Sequence, residues 1–237
     1  MTGLLTPVLV EVSAWGPFFA VETHSVAAIP APPWRSMREL LDAPDVLSGR
    51  VEAVRSSLAT ATGQPPDGVT TRVAASVTQM GLVARLISPS LGCMVLSGSF
   101  PAMDLNELWW QPKRGSLFPL SVGHREAGTP EDLLAGPVHD LVRAIRALSV
   151  SERVLWGNVA SAINGAATMI SVARPDLASH AHALTTTLLD LPPLRHTSTR
   201  HPDGRFQRRS CCLIYQASPT NRREAVCGDC ILATGQR

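Results

Sequence analysis

Four of the five cysteines fall within a twenty-residue window near the C-terminal end of the chain. Cys211 and Cys212 are adjacent, and after fourteen intervening residues Cys227 and Cys230 form a Cys-x-x-Cys arm. Four thiolates are a complete ligand set for one structural zinc ion or for one iron–sulfur cluster. The window therefore predicts a metal centre with these four cysteines as its ligands.

The spacing of the cysteines leaves the identity of the metal open. Zinc prefers two Cys-x₂₋₄-Cys arms, whereas one arm here is an adjacent pair, whose side chains diverge in an extended chain. A [2Fe–2S] cluster tolerates this spacing better because its ligands are divided between two iron atoms. Disulfides are disfavoured, since adjacent cysteines would need a strained ring and a reducing compartment keeps thiols free. We expect a [2Fe–2S] cluster, with zinc as the alternative.

Composition favours a folded cytoplasmic protein. The 237 residues are 45% hydrophobic and 17% charged, which is typical of globular chains. Residues 1–19 lack the basic region of a signal peptide. Apolar stretches such as residues 82–96 are interrupted by Arg85 and Pro89, so no transmembrane segment is expected. We expect the protein to be cytoplasmic, either free or peripheral at the inner face of the membrane.

Positive charge is concentrated beside the cysteines. Residues 195–237 hold eight arginines and three acidic residues, a net charge of about +5, while residues 1–194 carry about −3. Arg208 and Arg209 directly precede the first cysteine pair, and we expect them to tune a cluster or to dock an acidic partner. Nucleic-acid binding is not expected, because the patch lacks interleaved aromatic residues and the whole chain is only +2.

The elements that must position these residues are mainly helical. We expect a mainly α (α+β) fold in which residues 1–194 form a helical body with a short β-hairpin within 108–122. Residues 195–237 form a small irregular C-terminal metal module after a loop at 194–205. Hydrophobic periodicity and capping signals predict helices over 4–22, 37–42, 45–61, 70–86, 89–97, 131–148, 151–173 and 175–190. Two of these predictions depend on caps, Ser36 with Glu39 as a capping box, and Ser88 before Pro89 as a new helix start.

Other residues could serve the site or the core. Trp109, Trp110 and Trp156 are candidates to line a substrate pocket, as is Asn158, although core packing is the more common role of tryptophan. Cys93 lies in an apolar helical segment and is predicted to be a buried, inert thiol.

The cysteine window and its flanks resemble a known family. The segments Arg-Arg-Ser-Cys-Cys-Leu-Ile-Tyr at 208–215 and Cys-Gly-Asp-Cys-Ile-Leu at 227–232 are similar to the C-terminal signature of FhuF-like ferric siderophore reductases. Segments 72–76, 107–110 and 155–162 look like blocks of the actinobacterial branch, in the expected order. The resemblance therefore covers roughly residues 70–232. One departure is a longer loop between the cysteine pairs, where residues 217–224 look like an exposed hairpin extension.

The resemblance implies a function for the four cysteines. In that family the matching cysteines ligate a [2Fe–2S] cluster, and the protein reduces imported ferric siderophores in the cytoplasm. Because the chain has no G-x-G-x-x-G dinucleotide fingerprint, we expect its electron to come from a separate carrier, an acidic ferredoxin. Two alternatives stay open, a ferric siderophore-binding protein with a structural zinc ion and an iron- or redox-sensing regulator.

Overall fold

Helices carry most of the chain. The structure, a computed structural model, describes residues 5–25, 27–113, 117–123, 128–219 and 226–233. The helices are α1 (Leu5–Ser13), α2 (Glu39–Asp42), α3 (Pro44–Ala61), α4 (Thr71–Ser97), α5 (Pro130–Leu133), α6 (His139–Arg146), α7 (Glu152–Ala173) and α8 (Ala178–Leu189). The strands are β1 (Glu22–His24), β2 (Arg35–Ser36), β3 (Trp109–Trp110), β4 (Leu120–Gly123), β5 (Ser198–Arg200) and β6 (Phe206–Arg208). The mainly α (α+β) fold class is confirmed.

Helix α4 runs through the centre of the protein. The side chain of Thr70 accepts a hydrogen bond from the backbone N–H of Val73 and so caps the helix, and Gly98 ends the helix in the left-handed conformation. The predicted break at Ser88–Pro89 is wrong, because the helix continues through Pro89. Contacts with α1, α3 and α7 surround α4, and this packing offsets the roughly 3 kcal/mol cost of an internal proline.

Burial also explains the composition of α4. Among the described helices it is the one long and apolar enough to cross a membrane, and 67% of its most apolar window is buried inside the protein. A buried core helix of a soluble protein passes the same test of length and hydropathy. The structure is therefore compatible with a soluble protein.

The first helix is shorter than predicted. Helix α1 ends at Ser13 instead of extending to residue 22, and the hydroxyl of Ser13 accepts a hydrogen bond from the backbone N–H of Val21. The chain between them turns around the guanidinium of Arg85, which donates to the carbonyl oxygens of Pro17, Phe18 and Ala20. A long-range contact that no local pattern records therefore ends the helix.

A small sheet covers one part of the core. Its strand order is β1-β4-β3-β2, with β1 and β4 parallel and the other neighbours antiparallel. The predicted pair of strands within 108–122 is confirmed as β3 and β4, but β1 and β2 were not predicted. Ser36 belongs to β2, so the predicted capping box is wrong, and Glu39 instead accepts hydrogen bonds from Arg35.

The later helices agree with their predictions, and the C-terminal region adds a hairpin. Segment 131–148 is helical apart from a π-helical stretch at Leu134–Val138, and α7 and α8 lie within the predicted ranges. The predicted loop at 194–205 contains β5, which pairs with β6. A small apolar cluster of Ala59, Val69, Val73, Leu213 and Ala217 joins the segment after the first cysteines to α3 and α4.

Candidate metal centre

The two cysteine arms approach each other on turns. Cys211 and Cys212 directly follow β6 and a bend at Ser210, and Leu213 then adopts the left-handed conformation with φ of 71°. A 3₁₀ turn follows at Ile214–Ala217. The second arm closes when the backbone N–H of Cys230 donates to the carbonyl oxygen of Cys227 at 3.0 Å. The turn after Cys212 is the feature that an adjacent cysteine pair needs in order to present both thiols.

The four sulfur atoms form two close pairs across the arms. The Sγ atoms of Cys212 and Cys227 are 3.6 Å apart, and those of Cys211 and Cys230 are 3.9 Å apart. Two thiolates on one tetrahedral metal atom, each at about 2.3 Å, lie about 3.8 Å apart. Among the described residues, no three or more His, Cys, Asp or Glu side chains are grouped to hold one ion. The four thiols therefore lie close enough together to act as one donor set, and their spacing fits either a single zinc ion or a two-iron cluster.

Hydrogen bonds from the backbone stabilise negative charge on the sulfurs. The N–H of Leu213 donates to Sγ of Cys211 at 3.3 Å, and the N–H of Leu232 donates to Sγ of Cys230 at 3.4 Å. Hydrogen bonds of this kind tune iron–sulfur centres when they are present. One such donor therefore serves each arm.

The metal-free thiols share their negative charge unequally. Hydrogen bonds from the thiols of Cys211 and Cys227, together with the charge of Arg208, lower the pKa of Cys212 to about 2. The hydrogen bond to Cys212, followed by burial, raises the pKa of Cys211 and of Cys227. The first thiolate of the set is therefore Cys212, which is buried between its two thiol donors. A metal displaces the remaining protons, because it binds thiolate rather than thiol.

Arg208 and Arg209 have different surroundings. Arg208 is 1% exposed, and its guanidinium donates to Sγ of Cys227 at 3.2 Å and to Oδ1 of Asn158 at 2.7 Å. Burial lowers the pKa of Arg208, but the negative charge and hydrogen bonds of Cys212 and Cys227 together raise it by more, so the net shift of the pKa is upward. Arg209 is exposed and donates to the hydroxyl of Thr199. Of these two arginines, only Arg208 hydrogen-bonds to a sulfur atom of the described residues.

A buried polar network holds Arg208 and the first cysteine arm against α4 and α7. Asn158, fully buried on α7, donates to the carbonyl and hydroxyl oxygens of Ser76 and to Oε1 of Gln79 on α4. The hydroxyl of Ser76 in turn donates to the carbonyl oxygen of Cys212 at 2.8 Å. Ser76 and Gln79 were not predicted as site residues. Their polar side chains within an apolar helix were the signal, since a buried polar group needs a partner.

The second arm is also tied to α7. The hydroxyl of Ser161 hydrogen-bonds to a carboxylate oxygen of Asp229, and the carbonyl oxygen of Asp229 accepts from the backbone N–H of Arg208. Asp229 thus connects the Cys-x-x-Cys turn to both α7 and β6. Asp229 was not predicted as a site residue, although its place between the two cysteines of the arm was visible.

The other candidate residues pack mainly in the core. Trp110 is 1% exposed and meets Phe118 edge-on, and Trp156 stacks with His139 and donates to Glu152. Trp109 is half-buried in β3. The prediction for Cys93 is confirmed, because it is fully buried and burial raises its pKa to about 12. The predicted hairpin extension at 217–224 falls largely outside the described residues, which omit 220–225.

Comparison with known proteins does not assign the chain to a family. No protein-family model matches it, and no curated protein is significantly similar to it. What the chain does must therefore be inferred from the cysteines and from the groups that surround them.

Proposed function

We propose that this protein is an iron–sulfur ferric siderophore reductase of the cytoplasm, as its resemblance to the FhuF-like family implies. The observation that carries the proposal is the approach of the two cysteine arms, whose sulfur atoms lie 3.6 and 3.9 Å apart across the arms. The buried guanidinium of Arg208 beside one pair supports it further. A redox centre needs such charge compensation more than a structural zinc ion does, because its total charge changes in each cycle.

The four thiolates of Cys211, Cys212, Cys227 and Cys230 would hold a [2Fe–2S] cluster. Such a cluster supplies one-electron transfer at a potential set by its ligands, hydrogen bonds and exposure. Cys212 and Cys230 are buried, while Cys211 and Cys227 are half-buried. The protein therefore excludes water from one side of the centre and leaves the other side accessible to a donor and a substrate.

The reaction is the transfer of one electron to chelated iron. Fe³⁺ held by the oxygen atoms of a siderophore is reduced to Fe²⁺, and an external one-electron donor is oxidised by one electron. Oxygen ligands favour Fe³⁺ over Fe²⁺ because they are hard donors. Reduction therefore weakens the iron–oxygen bonds, and Fe²⁺ leaves while the chelator takes up protons from water.

The electron donor is proposed to be an acidic ferredoxin. Arginines of the C-terminal region lie on the surface beside the cysteines, with Arg200, Arg205 and Arg209 all exposed. Arg153 of α7 is also exposed and donates to the carbonyl oxygen of Arg209 at 2.8 Å. A positive surface of this kind attracts an acidic carrier and raises its rate of association.

The test is to purify the protein anaerobically and to measure its visible spectrum, iron, sulfide and zinc. We expect red-brown protein with two irons and two sulfides per chain, broad absorption that bleaches on reduction, and turnover of a ferric hydroxamate. Cys212→Ser should abolish the colour, whereas the matched control Cys93→Ser should retain it because Cys93 is remote in sequence and buried in α4. Colourless protein with one zinc ion, even after reconstitution with iron and sulfide, would exclude the reductase and favour the binding protein.

A further inference from the structure

A large apolar cleft opens between α3, α4 and α7, beside the segment that carries the first cysteine pair. Its volume is about 700 Å³, within the range of small-molecule sites. Its walls consist of aliphatic side chains, small residues, one aromatic ring and two serines. The lining residues are Pro17, Phe18, Val54, Ser57, Leu58, Val77, Met80, Gly81, Ala84, Ser88, Ala162, Gly165, Ala166, Met169 and Ile214.

The cleft lies next to the metal centre. Ile214, which lines it, follows Cys212 by two residues and begins the turn after the cysteine pair. On α4, Val77 and Met80 line the cleft, while the intervening helix residues include Gln79 of the network around Arg208. A molecule in the cleft would therefore rest against the same turn and the same helix that hold the cysteines.

One polar group in the cleft is unused by the protein. Ser88 is 2% exposed, and its hydroxyl makes no hydrogen bond to the described residues, unlike that of Ser90, which donates to the carbonyl oxygen of Leu86. Ser57, the other serine, donates to the carbonyl oxygen of Ala53. The described wall of the cleft therefore presents one uncommitted hydroxyl, which suits a ligand that needs few hydrogen bonds.

The segment between the two cysteine arms is not a suitable occupant of the cleft. Residues 220–225, which lie outside the described part, read Thr-Asn-Arg-Arg-Glu-Ala and are too polar for an apolar cleft. Met169, at 38% exposure, is left at the surface although it lines the cleft. Both facts favour a separate apolar molecule as the occupant.

We propose that the cleft binds a linear aliphatic chain, and that this chain is the acyl tail of the iron chelate that the protein reduces. Aliphatic and small residues make nearly all of the wall, so a flexible hydrocarbon chain fits better than a ligand that needs several hydrogen bonds. The identity of the chain as part of the substrate rests on the proposed reductase function. Binding of an aliphatic chain does not depend on it. A free fatty acid is the other source of the same chemistry.

The affinity for the cleft should depend on the length of the aliphatic chain. To measure it, the holoprotein is titrated by calorimetry with the Fe³⁺ complexes of acetohydroxamic, hexanohydroxamic and octanohydroxamic acids. Each buried methylene group strengthens binding about fourfold, so we expect the octano complex to bind at least about 100-fold more tightly than the aceto complex. Octanoate is titrated in parallel to represent a free lipid.

Two variants fill the cleft from opposite helices, Gly165→Leu on α7 and Ala84→Leu on α4. A Cβ atom at Gly165 would have no neighbour within 4 Å, so leucine enters the cleft without a clash and also favours the helix. Gly49→Leu is the matched control, because Gly49 is an exposed glycine of α3 with equally open surroundings and does not line the cleft. The cleft variants should lose the 100-fold preference, and the control should keep it.

The outcomes separate the two proposals. Equal affinity for all three complexes, or a preference that survives in both cleft variants, would overturn the cleft site. A preference shown by octanoate alone would overturn the assignment to the substrate. The control Gly49→Leu should reduce the aceto complex at the rate of the unmodified protein. If no ferric complex is reduced at all, the proposed reductase function is wrong. The binding data then still test whether the cleft binds an aliphatic chain.

Discussion

At the scale of single residues, two neighbouring arginines that look alike in sequence have separate roles. Arg208 is buried and points its guanidinium at Cys227 and Asn158, whereas Arg209 lies on the surface beside Thr199. Successive side chains of a strand point to opposite faces, and this alternation of burial continues from Arg208, the last residue of β6, to exposed Arg209. Only the inward arginine is placed to act on the potential of a metal centre.

Arg208→Gln should lower the midpoint potential of the proposed cluster. Loss of a positive charge about 4 Å away changes the energy of an added electron by about 1 to 4 kcal/mol, which is roughly 40 to 170 mV. Arg209→Gln, the matched control, should leave the potential almost unchanged. The measurement is a dithionite titration followed by visible absorption or electron paramagnetic resonance. Equal shifts in both variants would contradict the separation of roles.

Cys93 should stay unreactive while the other cysteines are alkylated. Burial raises the pKa of the Cys93 thiol to about 12, so at pH 8 only about one molecule in 10⁴ carries the reactive thiolate. Metal-free protein is treated with iodoacetamide and the labelled peptides are identified by mass spectrometry. Labelling of Cys93 at the rate of Cys211 would show that α4 opens in the native protein. After unfolding in urea, Cys93 should react like a free thiol.

At the scale of elements, α7 and the end of β6 touch at a glycine. A Cβ atom at Gly157 would lie 2.1 Å from Oγ of Ser210, far inside normal contact distance. That hydroxyl is buried and has no hydrogen-bond partner among the described residues. The close approach lets the strand that leads into Cys211 lie directly on the helix.

Gly157→Ala should therefore destabilise the protein and lower its metal content. Overpacking at a tight contact costs about 1 to 3 kcal/mol. Ser210→Ala alone should be close to neutral because its hydroxyl is unpaired, and the double variant Gly157→Ala with Ser210→Ala should recover most of the loss. The measurements are urea unfolding curves and iron analysis of the unmodified protein, the two single variants and the double variant, which together form a double-mutant cycle. No recovery in the double variant would mean that the methyl group clashes elsewhere.

Local patterns predicted the elements more reliably than the site. The long apolar periods of α4 and α7 are local signals, and both helices begin within one residue of the predicted starts. The break at Pro89 and the length of α1 depend on contacts made by distant segments, such as Arg85 with the carbonyls of residues 17–20. The four cysteines were visible from residue type and spacing alone. The link from Ser76 through Asn158 to Arg208 was not, because it exists only once α4, α7 and β6 pack together.

At the scale of the whole molecule, charge is divided between a slightly acidic body and a basic C-terminal region. Residues 195–237 carry about +5 and residues 1–194 about −3. Exposed pairs such as Arg205 with Asp203 are weak, so most of this charge is available to a partner. The proposed acidic donor would approach from this side.

Electron delivery by an acidic ferredoxin should therefore weaken with salt. Between low and about 0.5 M ionic strength we expect kcat/KM for the donor to fall roughly tenfold, while reduction by dithionite changes little. Arg205→Glu should lower the low-salt rate, and Arg143→Glu, an exposed position on α6, serves as the control. A rate that is independent of salt would exclude electrostatic docking at the C-terminal region.

The crossed arrangement of the sulfur pairs has a consequence for how the centre is loaded. Each pair takes one cysteine from the first arm and one from the second, so neither arm alone contains a complete half of the site. Capture of one metal atom by a cross-arm pair would fix both arms and so favour capture of the next one. Loading should consequently be all-or-none. Native mass spectrometry during limited addition of iron and sulfide should show empty and fully loaded chains side by side, with almost no chain carrying a single iron.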